Sequence, residues 1–294
     1  MKKQTKVWLV LSLALSLGAL GSACSKAPEG DTNKNGGGSE TAAAYSGPTG
    51  TVTGVISFNG TPPTPKKIDS SADPVCGQKN PNLETEDTVV KDGKLANTFV
   101  YIKDGTTTDG KKVGDFKWDT PTTSVQLDQN GCHYRPHVLG VQTNQKISIT
   151  NSDPTTHNIH PTPKQNPEWN QSQPNGAAPL EKSFARAEIL VPVKCNQHPW
   201  MKSYIGVMKT PFFAVSADNG SFSIKGVPAG TYTVAAWKEG GPDGTTKTVQ
   251  VTVPANGSVT ADFAFEGAPA AASNQQGGLQ MMPAIEFPML GRKH

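Results

Sequence analysis

The sequence predicts an all-β protein built as two consecutive β-sandwiches. Three observations predict it. Short runs of alternating apolar and polar residues recur along the chain, Gly (30) and Pro (24) crowd the segments between them, and no stretch carries an amphipathic helix of three turns. An apolar fraction of only 35% also favours short strands and long loops over helices.

The first element is an export signal. Lys2, Lys3 and Lys6 precede an apolar run, Val7 to Leu20, of the length of a signal-peptide core. That run is too short to span a membrane comfortably. Gly21-Ser22-Ala23-Cys24 then resembles a bacterial lipobox, with Gly21 where Leu is usual. The resemblance implies removal of residues 1–23 and lipidation of Cys24. Because Ser25 is not an acidic retention signal, it also implies the periplasmic face of an outer membrane or the cell surface. Ordinary cleavage after Gly21-Ser22-Ala23 is the other reading, and both export the chain. Residues 24–50, rich in Gly, Ala, Ser, Asn and Thr, read as a lipidated N-terminus and flexible tether.

The chain carries 27 basic and 24 acidic side chains, a net charge of +3. The excess equals the three leader lysines, so the rest is balanced and no nucleic-acid surface is indicated.

Strand signals begin at Thr51, where Val52, Gly54, Ile56 and Phe58 alternate with Thr53, Val55 and Ser57. Further runs are Asn97–Lys103, Ser124–Gln126, Lys146–Thr150, Ile189–Cys195 and Tyr204–Lys209. Together they suggest a first domain over 51–210. A second set, Ser221–Lys225, Thr231–Trp237, Lys247–Val253 and Ser258–Phe265, suggests a small β-domain over 211–265, with a hairpin turn at Asp218-Asn219-Gly220. The Ala/Gly/Gln/Pro-rich tail, 266–294, reads as disordered.

Cysteine count narrows the chemistry. With Cys24 assigned to lipid, Cys76, Cys132 and Cys195 remain, and in an oxidising compartment two of three are expected to bridge. Pairing Cys76 with Cys132 leaves Cys195 alone, and an exported lone thiol calls for a use such as metal binding. Cys195-Asn196-Gln197-His198-Pro199-Trp200-Met201 supplies that use. A thiolate, an imidazole and a thioether recur every third residue after a strand in which Ile189, Val191, Val193 and Cys195 share one face. His157, followed by Asn158, lies just after the run Lys146–Thr150 and offers a second imidazole. Two His, one Cys and a weak axial Met form the ligand set of a blue-copper site.

On these residues the chain resembles a Greek-key cupredoxin of the amicyanin/plastocyanin type. There a His-Asn pair precedes a distant Cys-x-x-His-x-x-Met loop. More broadly it is similar to bacterial lipoproteins described as methylamine-utilisation or cupredoxin-like, through Gly54-Val55-Ile56-Ser57-Phe58, Pro136-His137-Val138-Leu139-Gly140-Val141 and His198-Pro199-Trp200-Met201. The resemblance implies one type 1 copper held by His157, Cys195, His198 and Met201, with Asn158 tying the two ligand loops together. It also implies that His198 reaches the surface, where an unknown redox protein docks near His198 and Trp200. Trp200 reads equally as an electron-transfer contact or as loop packing. Phe212 to Phe265 resembles the small transthyretin or carboxypeptidase-regulatory β-sandwich, through Gly220-Ser221-Phe222 and Gly226-Val227-Pro228-Ala229-Gly230-Thr231-Tyr232, which describes a fold and no activity.

The expected function is periplasmic copper electron transfer, without enzymatic chemistry, since protein ligands fill every position. The alternatives are a copper-handling lipoprotein and a binding module with a structural metal. His160 is not expected to ligate. His133 and His137 flank Cys132 and are expected to be satisfied structurally, with a second metal as the alternative. Two insertions stand out: Thr61–Leu95, which carries Cys76, and the polar segment Pro161–Ser183 beside His157.

Overall fold

The computed structural model describes residues 42–241 and 243–267. The expected signal peptide 1–23, Cys24 and the tail after Gly267 lie outside the described residues. The end of the expected tether is docked: Ala44 bridges Lys117, and the Tyr45 ring meets Phe116 edge-on at 5.0 Å.

The fold is all-β, as the alternating runs predict. Four sheets pack into two sandwiches. In the first, a five-stranded sheet runs Gln171–Gln173, His157–Pro161, Glu188–Lys194, Lys202–Met208, Val138–Gln142. Its partner sheet runs Leu180–Lys182, Ile147–Asn151, Val125–Gln129, Tyr134–Arg135. Leu127, Ile147 and Ile149 from one sheet meet Val191, Val193, Ile205 and Val207 from the other, and Cys195 and Met201 lie in the same core.

The second sandwich contains strands from both ends of the described chain. The strand Thr49–Asn59 pairs antiparallel with Ser221–Pro228, and parallel with Ser258–Thr260 and Phe263–Glu266. Facing it, Phe99–Thr107 lies between Phe213–Val215 and Gly230–Lys238, with Thr245–Val253 outside. The expected division at 210/211 is therefore not how the sheets divide. Strands at 49–59 and 99–107, expected in the first domain, belong to the second sandwich. Period-2 alternation tells which face a strand buries but not which strand lies beside it.

A third core joins the sandwiches. Along Phe99–Thr107, Val100 and Ile102 point into the second sandwich while Phe99 and Tyr101 point the other way. There they meet Val138, Leu190 and Met208 of the five-stranded sheet. Gly206 is required at this seam, because a Cβ there would lie 2.4 Å from the Phe99 ring. The result is four stacked layers of sheet.

Local details follow from chemistry. Gly220 adopts φ +73° and its N–H donates to Ala217 O at 2.8 Å, closing the turn that Asp218-Asn219-Gly220 predicts. One expected period fails. Val191, Val193 and Cys195 are buried together, but Ile189 is exposed. Leu190 has φ +57° and the register shifts between Glu188 and Val191, so a bulge turns Ile189 outward. The six-residue helix Pro74–Lys79 sits in the Thr61–Leu95 insertion, and the Cys76–Cys132 disulfide ties it to the first sandwich (Cα–Cα 5.8 Å).

Candidate metal centre

The site lies at one end of the first sandwich, where two turns meet. His157 opens the strand His157–Pro161. The turn before it is shaped by Asn151, whose side chain accepts from Asp153 N at 3.0 Å and donates to Thr155 O at 2.8 Å. Cys195 follows the strand Glu188–Lys194 directly. The loop after it closes tightly: Met201 N donates to His198 O at 2.9 Å and Cys195 N to Met201 O at 3.2 Å.

This folding brings three of the expected ligands together. His157 Nδ1 lies 2.8 Å from His198 Nδ1, and Cys195 Sγ lies 3.7 Å from the same nitrogen. A ligand atom from each of the three falls within 4.8 Å of the others, and all three residues are buried. Met201 is fully buried in the same core. Asn158 lies between the two turns. Its Oδ1 accepts from Asn196 N at 2.6 Å and lies 3.2 Å from Cys195 Sγ, so it joins the two turns. Its Nδ2 donates to Asn170 Oδ1 at 2.6 Å, which ties the Pro161–Ser183 segment to the site.

The outer nitrogens are committed. His157 Nε2 lies 3.0 Å from Asp153 Oδ2, and His198 Nε2 lies 2.9 Å from Asp73 Oδ2. Burial pushes the Asp73 carboxyl up, but hydrogen bonds from Thr155, His198 and two backbone N–H groups bring it down to about 2. Asp153 is likewise raised by burial and lowered further by His157, Lys79 and the N–H groups of Cys132 and Gly131. Both are therefore ionised acceptors at neutral pH, and each Nε2 is the donor. In neutral rings both Nδ1 atoms then present lone pairs at 2.8 Å. That arrangement is repulsive unless a proton or a metal cation lies between them.

The sulfur is equally prepared. Burial raises the Cys195 thiol, but the imidazoles of His157 and His198 and nearby backbone N–H groups lower it to about 6. Burial lowers both imidazoles, while the carboxylates and the Cys195 sulfur raise them above the ordinary value. One soft thiolate and two inward nitrogens fit copper, and the buried thioether of Met201 adds to that fit.

Some expectations fall elsewhere. His198 does not reach the surface: only 4% of it is exposed, because Asp73 and the helix behind it cover its outer edge. The alternation pattern gives no sign that a distant insertion folds over this histidine. Trp200 is half-buried, 5.1 Å from the His198 ring, and donates to Cys132 O at 3.2 Å. His160 bonds Asn196 and Glu168 outside the cluster. His137 pairs with Glu239 at 2.6 Å, and His133 lies 3.4 Å from Glu86, which also holds Arg135. These histidines are met by carboxylates, as the structural reading of them expects. Sequence reasoning missed Asp73 and Asp153. Asp153, four residues before His157, was findable; Asp73 carried only the helix-start signal Asp73-Pro74.

A family model described as polysaccharide lyase family 4, domain II matches residues 175–261. No curated protein matches the chain. Among solved structures, one similar chain is a mutant of amicyanin in its reduced Cu(I) form at pH 4. It is 19% identical, covers 30% of this chain and 86% of its own, and gives a TM-score of 0.26. A purple cupredoxin from Nitrosopumilus maritimus is 20% identical over 29% of this chain and 99% of its own, with a TM-score of 0.25. The Cu-containing nitrite reductase from Thermus scotoductus SA-01 is 20% identical over 29% of this chain (TM-score 0.26), and the match spans only 22% of that enzyme.

Proposed function

We propose that the protein is an exported copper-binding electron carrier with one type 1 site held by His157, Cys195, His198 and Met201. One observation carries the reading: two imidazole Nδ1 atoms and a thiolate converge in a buried pocket while both outer nitrogens are held by carboxylates. Bound copper would supply a one-electron Cu(I)/Cu(II) couple. The chain's part is to hold its ligands on rigid strands, so that little rearrangement accompanies the change of charge. The disulfide Cys76–Cys132 supports an oxidising compartment, and the leader and Cys24 support a membrane-anchored exported form. Since His198 is covered, the docking contact falls to Trp200, which lines a cavity of about 210 Å³ with Pro199, Ile68 and Lys202. A closed site of this kind counts against rapid metal exchange, and so against a copper chaperone.

The test is visible and EPR spectroscopy of Cu(II)-loaded protein. Intense thiolate-to-copper absorption is expected, with complete loss in Cys195→Ser. A colourless Cu(II) form, or zinc in protein purified from its native host, overturns the reading.

A further inference from the structure

The Thr61–Leu95 insertion reaches both histidines of the site from outside, His198 directly through Asp73 and His157 through Lys79 and Asp153. Asp73 caps the helix Pro74–Lys79: its Oδ1 accepts from Val75 N at 2.8 Å and Cys76 N at 3.3 Å. Its other oxygen is thereby aimed at the sandwich, where it meets His198 Nε2 at 2.9 Å and Thr155 Oγ1 at 2.8 Å. At the far end of the helix, Lys79 Nζ lies 2.6 Å from Asp153 Oδ1. Asp153 Oδ2 takes Cys132 N at 2.7 Å and His157 Nε2 at 3.0 Å. The two half-cystines therefore sit one on each chain of contacts, Cys76 beside Asp73 and Cys132 beside Asp153.

We propose that Asp73 and Asp153 are paired positioning residues that lock both imidazoles with Nδ1 turned into the site, and that the Cys76–Cys132 bond seats the helix that delivers Asp73. The inference rests on the copper reading for its electronic consequence and on geometry alone for the rest. An ionised carboxylate on Nε2 makes the imidazole a stronger donor at Nδ1. A stronger donor stabilises Cu(II) more than Cu(I), so the pair lowers the reduction potential. The same contacts close the outer edge of His198 to solvent and to partners.

Two arms test this. The first uses metal-free protein and NMR of the imidazole N–H groups. The wild type should show slowly exchanging Nε2 protons on His157 and His198. Asp73→Ala should speed exchange at His198 at least tenfold and leave His157 unchanged. Cys76→Ser with Cys132→Ser should speed it in the same way. A bare Nε2 on His198 in the wild type, or unchanged exchange in Asp73→Ala, overturns the positioning role. Continued protection without the disulfide overturns its seating role. The wild-type measurement decides even where a variant does not fold. The second arm uses copper-loaded Asp73→Asn, which keeps an acceptor and removes the charge. Cu(II) affinity should fall roughly tenfold relative to Cu(I), a rise in midpoint potential of about 59 mV. An unchanged potential overturns the electronic role. If the wild type instead binds Cu(II) without colour, the copper reading fails while the first arm still judges the positioning.

Discussion

The two sandwiches share the two-residue period of their strands but bury different chemistry. The first encloses Gln129, Asp153, His157, Asn158, Gln173 and His198 at one end, every one held by hydrogen bonds to neighbours. The second encloses Val52, Ile56, Phe222, Ile224, Val234 and Val253, with buried polar side chains such as Thr98 and Ser216 near its edge. The difference lies in the connections. In the second, turns such as Asp218-Asn219-Gly220 are short, and its long connection Thr61–Leu95 leaves it to pack over the site end of the first. In the first, the connections bring in carboxylates, amides and imidazoles. Such groups are tolerated inside only when they satisfy one another. The chemistry of this protein is therefore a property of its connections, and the second sandwich acts as a rigid neighbour.

The seam between them is the place to break that comparison. Phe99 is fully buried in the third core and stacks on Phe213 with centroids 5.8 Å apart. Phe99→Ala should cost about 3–5 kcal/mol and split the thermal transition in two. Copper should then raise only one of them, the first sandwich's. A single transition that copper raises as a whole would mean that the sandwiches are not separable.

Next in size is the polar rim of the seam. Glu239, at the end of a second-sandwich strand, binds His137, Lys202 and Tyr204 of the first. Burial raises its carboxyl, but His137 and Lys202 lower it to about 2. A depressed carboxyl stabilises the fold fully above its unfolded value near 4.5. That contribution disappears as pH falls from there toward 2. It is on the order of 3 kcal/mol. Glu239→Gln should make the acid limb shallower by about this amount, with Asp73 and Asp153 supplying what remains, measured by urea melts at stepped pH, and leave the copper spectrum unchanged. An acid limb as steep as that of the wild type would place the titrating group elsewhere. The smallest effect is expected at Lys146, whose pairing with Glu181 joins two exposed side chains of the first sandwich. Lys146→Ala should leave stability within measurement error, and a clear loss would show that surface charge contributes to this sandwich after all.

Most of the fold was legible in the chain. Ile147–Asn151 and Lys202–Met208 fall within two residues of the alternating runs that announce them, and Val125–Gln129 within three. The short strands Gln171–Gln173 and Leu180–Lys182 were not legible, because the Pro161–Ser183 segment is polar and its pairing comes from partners already in place. Of the candidate site, Cys195 and His198 were readable from their spacing in one short loop, and His157 from its place after a strand beside Asn158. Asp73 was not: its effect depends on a contact 125 residues away in sequence.

By itself, then, the sequence determined the all-β class, the cysteine arithmetic and the Cys195–His198 spacing of the candidate site. Each is local, set by period, composition or a loop of seven residues. Only the tertiary structure decided that Thr49–Asn59 joins the second sandwich, that Ile189 turns outward at a bulge, and that His198 is covered instead of exposed. These depend on which distant surfaces meet, and the free energy of that choice is spread over many contacts with no signature in any one segment.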